Sequence, residues 1–426
     1  MSLLRTWAAL PALLLFLAPA APAQTGDGVE IVADGLVVPL GVEIDADGQV
    51  WVAESGSGND DGRVSVLVDG ALQPVIEGLP SVGFDGEVDG AAHLLLTDTA
   101  VWVIGGAGPE PAFDILRFER AALTPGTPVG PDAASFEASL SEWVLDQGYA
   151  ESNVYAAVQA ADGALWVTDA AANALFRYDP GDRSQSVIAE FESVETGATP
   201  PIADAVPTGI ALDGDAFLVG TLTGFPFADG AAKVLSVASD GAVSTVQDGL
   251  TVVTDVAVDP RDGRPVALEM ARFTPQDGYI PGTGRLVKLL DGGEVAVLAD
   301  GLNLATAIAF DADGVAYVTS LFGQLVRVMS APVATEQEPA GALALAAGPN
   351  PFQDATRVRF DLGAPAYVRL VAYDAVGRRV AVLAEGPHTS GAHEVSLDGA
   401  TLAVGVYVVR LEAGDRSESV VVVRAR

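Results

Sequence analysis

Half of the 426 residues are hydrophobic, only 19% are charged, and 57 Asp and Glu stand against 22 Lys and Arg, for a formal net charge of −35 at pH 7. A field of that sign repels nucleic acid and anionic membrane surfaces, and the absence of cysteine removes disulfides, thiolate nucleophiles and thiolate metal sites together. The 47 Gly and 26 Pro supply many turn positions, and with this apolar content they read as a chain of many short strands.

The chain opens with one basic residue, Arg5, ahead of an apolar run reaching Leu17 and the small residues Ala21-Pro22-Ala23. This is the pattern of a secretory signal cleaved after Ala23, so residues 1–23 are assigned to export. An uncleaved anchor is the alternative, but the run is short for the ~20 residues that a span needs, and the mature chain is expected to have no integral membrane span.

From there one phrase recurs: an apolar alternating run, a turn with Asp and Gly, and a second apolar run. Copies begin at Gly41, Val158, Ile210, Val256 and Ile308, with a weaker one at Leu94. Aligned on the large residue of the second run, they fall at Trp51, Trp102, Trp166, Phe217, Val266 and Tyr317, with spacings of 51, 64, 51, 49 and 51. Period-two alternation around Asp-Gly predicts an antiparallel hairpin, and third strands are expected at 63–68, 174–178, 233–237, 285–289 and 324–328. Fourth strands are expected to end near Gly78-Leu79, Gly249-Leu250 and Gly301-Leu302.

Four strands in about fifty residues, six times over, predict an all-β chain with a six-bladed β-propeller across residues 24–330. The sixth copy stops after its third strand, and residues 28–36 match the fourth-strand phrase at 293–302, so the N-terminal strand is expected to complete the last blade. The long spacing holds an insertion in which Phe136, Leu140 and Trp143 recur at helical intervals, predicting a short helix against a propeller face, as core packing or as a ligand lid.

Three residues after each aligned large residue stand Glu54, Gly105, Asp169, Gly220, Glu269 and Ser320. Glu54, Asp169 and Glu269 would meet at a tunnel mouth, where three carboxylates repel unless solvated, protonated or bridged by a cation. Oxygen ligands of this kind suit a calcium ion, and Asn153 and Asp255 would add two more. The alternative is that each acid satisfies backbone amides of its own blade. The loop Asn59-Asp60-Asp61-Gly62 is a further cation candidate or a solvated turn. His93 is the only histidine before residue 388, and no nucleophile elbow accompanies it, so a structural role precedes a catalytic one. No cofactor-binding motif is present. A binding or scaffold module with an unknown small ligand or surface component therefore leads, with a metal-dependent lactonase or hydrolase at the axial tunnel as the alternative.

The stretch from Val206 to Val237, above all Leu222-Thr-Gly-Phe-Pro-Phe227, resembles the ScyD/ScyE family, exported propeller proteins related to NHL-type repeats. Ala53-Glu-Ser-Gly-Ser-Gly58, Glu151-Ser-Asn-Val-Tyr155 and Leu268-Glu-Met-Ala-Arg272 extend the resemblance over roughly residues 28–330. The chain departs from the family at 151–156, where Val154 and Ala156 stand in place of Pro and Gly. The resemblance brings no catalytic residue set.

Residues 331–345 are small, Pro-containing and without periodicity, which reads as a linker. Alternating runs beyond it predict a small C-terminal immunoglobulin-like β-sandwich over 346–426. Its phrases Pro349-Asn350-Pro351, Tyr373-Asp374 followed by Gly377-Arg378, and Gly405-Val-Tyr407 resemble the type A sorting domain of type IX secretion. That resemblance implies a partner in the secretion machinery at the outer membrane, and passage through the periplasm to an extracellular or surface-attached location. The region holds nine Arg and nine acids, while residues 24–345 hold 12 basic and 48 acidic residues, net −36. The acid load lies in the first domain.

Overall fold

The structure is a computed structural model. It describes residues 28–84, 87–106, 113–275 and 277–329, and then 344–348, 350, 352, 355–362, 366–374, 379–389, 391–403, 405–413 and 416–425. The signal segment 1–23 and the linker residues 331–343 lie outside the described residues. The chain divides into two compact units, Met1–Ala331 and Pro332–Arg426.

The first unit contains six four-stranded antiparallel sheets. Their innermost strands are Pro39–Ile44, Ala91–Leu96, Val154–Gln159, Pro207–Asp213, Val253–Val258 and Ala305–Phe310, which number blades 1 to 6. Each inner strand packs on the next, and that of blade 6 packs on that of blade 1. This is the β-propeller arrangement. The sheets remain separate, with no strand ladder running from blade to blade as in a barrel.

Sequence explains the hairpins directly. The turn glycines Gly48, Gly163, Gly214, Gly263 and Gly314 all have φ between 61° and 89°, a conformation that a side chain resists. Neighbouring aspartates tie the turns: Asp45 Oδ1 accepts from the amides of Asp47 and Gln49, both at 2.9 Å. The aligned large residues fill the seams between blades. Trp166 of blade 3 and Phe217 of blade 4 stack with ring centroids 3.8 Å apart.

Hydroxyls stitch the inner ends of five seams. Ser55 Oγ donates to Ala91 O, Thr168 Oγ1 to Thr208 O, Thr208 Oγ1 to Val253 O, Thr254 Oγ1 to Ala305 O, and Thr306 Oγ1 to Pro39 O, at 2.7–3.1 Å. Each donates to a backbone carbonyl of the next blade, so these seams are closed by polar contacts as well as by packing.

Blade 6 is completed by Val29–Asp34, antiparallel to Gln324–Val328, with Val29 opposite Val328 and Asp34 opposite Gln324. The N-terminal strand thus lies where the fourth-strand phrase predicts. The insertion differs from its expected form. Phe136–Ala138 is the fourth strand of blade 2, paired with Ile115–Glu119, and the helix spans only Leu140–Asp146. The strand is favoured because it completes blade 2 and places Phe136 edge-on against Trp102, 5.9 Å between centroids. Leu140 and Val144 are buried with residues of blades 2 and 3, so the helix packs core.

Three two-stranded hairpins, Val82–Phe84 with Glu87–Asp89, Val194–Glu195 with Ile202–Ala203, and Arg272–Thr274 with Gly278–Ile280, were not legible as repeats. All lie in connections at the end where inner strands begin. The opposite end carries the short Asp-Gly turns.

The second unit has a three-stranded sheet, Ala344–Gly348, Ala355–Leu362 and Gly391–Asp398, and a four-stranded one ordered Arg379–His388, Ala366–Asp374, Gly405–Ala413 and Arg416–Arg424. Phe352, Val358, Phe360, Leu370, Leu397 and Val409, from both sheets and the segment between strands, are buried in one core.

Candidate functional site

The acids at the ends of the second strands act as anchors. Glu54 is 1% exposed; Oε1 accepts from Arg63 Nε at 2.6 Å, and Oε2 from Arg63 Nη2 at 2.8 Å and the Val37 amide at 2.7 Å. Glu269 repeats the device in blade 5, accepting from Arg285 Nε at 2.6 Å and the Thr251 amide at 2.8 Å. Asp169 Oδ1 accepts from the amides of Asn153 at 2.7 Å and Ala172 at 2.9 Å, and Oδ2 from Ser152 Oγ at 2.5 Å. In each blade the acid clamps the segment entering the first strand to the end of the second.

The structure therefore does not gather Glu54, Asp169 and Glu269 into a ligand set, and Asn153 meets Asp169 through its amide. Among the described residues no three His, Cys, Asp or Glu side chains stand close enough to hold a metal ion. In the Asn59–Gly62 loop, Asp61 accepts from the Ser57 amide at 2.7 Å and Ser57 Oγ at 2.8 Å, which makes a tied turn.

A cavity of about 580 Å³ occupies the axis instead, lined by residues of all six inner strands. It takes in the second halves of those strands and the turn residues Thr97, Asp98 and Pro260, so it lies toward the other end of the strands from Glu54, Asp169 and Glu269. Its lining is mixed: Leu95, Val158, Leu212, Ile308 and Phe310 supply apolar surface, and Glu43, His93, Asp98 and Asp255 are its ionisable groups.

Asp255 is wedged in the ring. Its Oδ1 accepts from the Val256 amide at 2.8 Å and its Oδ2 from the Ile308 amide of blade 6 at 2.9 Å. On the blade 4 side, a Cβ on Gly209 would lie 2.0 Å from Asp255 Oδ1, so only glycine leaves room for this carboxylate. Burial pushes the Asp255 pKa up to about 7, against the pull of these two amides. Glu43, from blade 1, is half-buried in the cavity. Desolvation first and the charge of Asp255 second lift its pKa to about 8. His93, from blade 2, is 5% exposed, and its buried Nδ1 has no hydrogen-bond partner; burial lowers its pKa to about 4.

These shifts set a pH dependence. Folded Glu43 keeps its proton to about pH 8 and Asp255 to about pH 7, whereas free carboxyls release theirs near 4.5 and 3.8, so stability is lost as pH rises through that interval. His93 works in the opposite sense, removing stability as pH falls from 6.5 toward 4. Tyr155, raised by burial and by Asp255, stays neutral throughout. Asp89, which burial raises to about 7, titrates in the same range, so a change at Glu43 itself is needed to isolate its share. Glu43→Gln is expected to stabilise the unit at pH 8 by on the order of 2 kcal/mol and to change little at pH 5. Urea unfolding at the two pH values checks this; an equal effect at both would contradict it.

Sequence reasoning named Asp255 as an oxygen donor and His93 as structural, and it missed Glu43. The signal was available in the repeat: opposite the aligned large residues the inner strands carry Glu43, Leu95, Val158, Leu212, Ala257 and Ala309, so one acid stands in an apolar layer.

In the second unit, Asn350 Oδ1 accepts from the Val423 amide at 2.8 Å, and Tyr407 Oη donates to Ala403 O at 2.7 Å. Tyr373 lies opposite Val408, and Asp374 opposite Tyr407, with Gly405 beginning the same strand. Pro349, Pro351, Gly377 and Arg378 lie outside the described residues. His393 stacks on Phe360 at 5.0 Å and His388 meets both rings, a framework role.

The first unit is a β-propeller with an axial cavity. No family model matches the chain, and no curated protein matches it. Among solved structures it is similar to a protein of unknown function from Bacteroides thetaiotaomicron (13% identity, 70% of this chain and 74% of that one, TM-score 0.47). It is also similar to a gluconolactonase from Xanthomonas campestris (15%, 70% and 88%, 0.46). A third is PorZ, a surface component of the type IX secretion system of Porphyromonas gingivalis (15%, 90% and 59%, 0.37). Among the described residues no helix is long and apolar enough to cross a membrane.

Proposed function

We propose that the protein is an exported binding module whose six-bladed propeller takes a small ligand in its axial cavity. The observation that carries this is the cavity itself, about 580 Å³ on the axis, lined by all six inner strands with both apolar side chains and the polar groups Glu43, His93 and Asp255. A metal-dependent lactonase or hydrolase is the weaker reading, because Glu54, Asp169 and Glu269 are each committed to backbone amides and, in two blades, to an arginine. The phrases shared with the ScyD/ScyE family support an exported propeller of that kind. Ala257, on the cavity wall, offers the test. A panel of small aliphatic and aromatic compounds is screened by thermal shift, and binders are expected to lose their effect on a folded Ala257→Trp variant. Binders that act equally on that variant would place the ligand elsewhere.

The C-terminal unit serves, in this reading, as an immunoglobulin-like sorting domain of the type IX system that brings the propeller to the cell surface or medium. Support comes from the ordered phrases and from the anchoring of Asn350 and Tyr407 in the fold. The signal segment 1–23 and the linker complete the export design. A reporter carrying a periplasmic signal and residues 346–426 is expected to leave the periplasm of a host with the system. Retention there would count against it.

A further inference from the structure

We propose that the end of the propeller away from the axial cavity docks a cationic protein segment, one with an apolar side chain flanked by lysine or arginine. Its seat is an exposed aromatic ridge built by three connections of blades 3 to 5.

The connection 222–231 of blade 4 joins two of the additional hairpins. Thr223 and Gly224 donate their amides to Ala205 O at 3.0 Å and Asp204 O at 2.9 Å, which ties it to the hairpin of Val194–Glu195 with Ile202–Ala203. Phe227 packs on Phe273 and Tyr279 of the hairpin of Arg272–Thr274 with Gly278–Ile280, with ring centroids 5.0 and 5.6 Å away. Phe225 stands edge-on to Phe227 and Phe273, 6.1 Å from each, and is 46% exposed. Among the described aromatic side chains of the first unit it is the one left exposed, and Ile202 on the adjoining hairpin is 60% exposed.

Packing alone would bury such a ring. The loop instead holds Thr223 and Phe227 at φ 70° and 53°, which a β-branched or bulky residue resists, and Thr223 Oγ1 is buried without a partner. Local cost of this kind collects where a segment is shaped for something other than stability. What this segment presents is Phe225.

Charge identifies the occupant. Segments 191–205, 222–231 and 271–283 carry five exposed acids, Glu192, Glu195, Asp204, Asp229 and Asp277, against one base, Arg272, whose Nε donates to Asp229 Oδ2 at 2.8 Å. Glu195 stands opposite Ile202, and Asp204 is bonded through its carbonyl to Gly224, next to Phe225. An apolar side chain set on the rings would therefore bring its neighbours beside carboxylates, where ammonium or guanidinium groups gain from the acids and from the ring faces. A second copy would press the same acids against these, and residues 24–345 already carry a net −36. The chain's own segment 331–343 holds Glu336 and Glu338 and no base. Anionic membrane is repelled for the same reason, which leaves a basic partner.

The test uses the full chain and three acetylated hexapeptides, KKLLKK, KKSSKK and EELLEE, in isothermal titration at low ionic strength. KKLLKK is expected to bind about tenfold more tightly than KKSSKK, and EELLEE not to bind. Phe225→Ser is expected to bring KKLLKK down to the level of KKSSKK, and Ile202→Ser to weaken it in the same direction. Glu195→Gln with Asp204→Asn is expected to weaken both basic peptides. Asp213→Asn with Asp215→Asn removes equal charge from an exposed turn at the opposite end and is expected to leave them bound as in the parent. The cavity variant Ala257→Trp is expected to bind KKLLKK unchanged, which keeps this surface apart from the axial site. Equal binding of KKLLKK and KKSSKK overturns the proposal, as does a Phe225→Ser protein that melts with the parent and keeps full affinity. A neutral glucan such as laminarin that binds where the peptides do not, or a dimer in sedimentation that Phe225→Ser dissolves, would give the ridge to a sugar or to a second copy and overturn it too.

Discussion

Removal of residues 28–36 is expected to unfold the whole six-sheet unit, lowering its stability by about 5 kcal/mol or more, a sum comparable with the entire stability of many domains. The strand Val29–Asp34 is itself half-exposed, so its own burial is a minor part of that cost. What matters is what it covers. Gln324–Val328 would become an open edge, and the buried Leu325, Val326 and Val328 would lose their cover. Leu36, whose amide donates to Gly323 O at 3.1 Å, ties the following turn to the same blade. Thermal and urea unfolding followed by circular dichroism measure the loss; a deletion variant that melts with the parent would show that the ring does not depend on this strand.

Glu54→Ala is expected to cost about 1–3 kcal/mol, because it leaves the part-exposed Arg63 guanidinium and the Val37 amide without their acceptor. Replacing Arg63 as well, in the double variant Glu54→Ala with Arg63→Ala, is expected to cost less than the two single changes summed. Chelator separates this anchor role from metal binding. If Glu54 is an anchor, EGTA leaves the melting temperature of the parent unchanged. A parent destabilised by EGTA beside a Glu54→Ala protein that is not would return this acid to the role of ligand.

The six repeats were legible because a blade is a local object. Alternation around Asp-Gly, the large residue such as Trp51 or Trp166, and the turn glycines all fall within about fifty residues of chain. The insertion was half legible. Leu140 and Trp143 do sit on a helix, but Phe136 belongs to a strand, since hydrogen-bonding to the edge of blade 2 outweighed its helical spacing. The cavity was not legible from local pattern, because Glu43, His93 and Asp255 come together only when the ring closes. Of the two readings of the acidic triplet, the one in which each acid serves its own blade has a geometric basis. In blades 1 and 5 the acid stands opposite an arginine on the third strand, and that arginine, along with the entering loop, takes its oxygens.

The placement of Val29–Asp34 also fixes an order of events. Its partner strand ends at Val328, and the ion pair between Glu30 and Arg327 joins residues 297 positions apart. A chain that emerges with its N-terminus first delivers this strand early and must hold it unpaired until the last blade arrives. Blades 1 to 5 can assemble from local contacts, but the final closure waits for nearly the full length of the propeller, which makes it a late, non-local step. The first strand made is the last to be placed, and the axial cavity is complete only once it is.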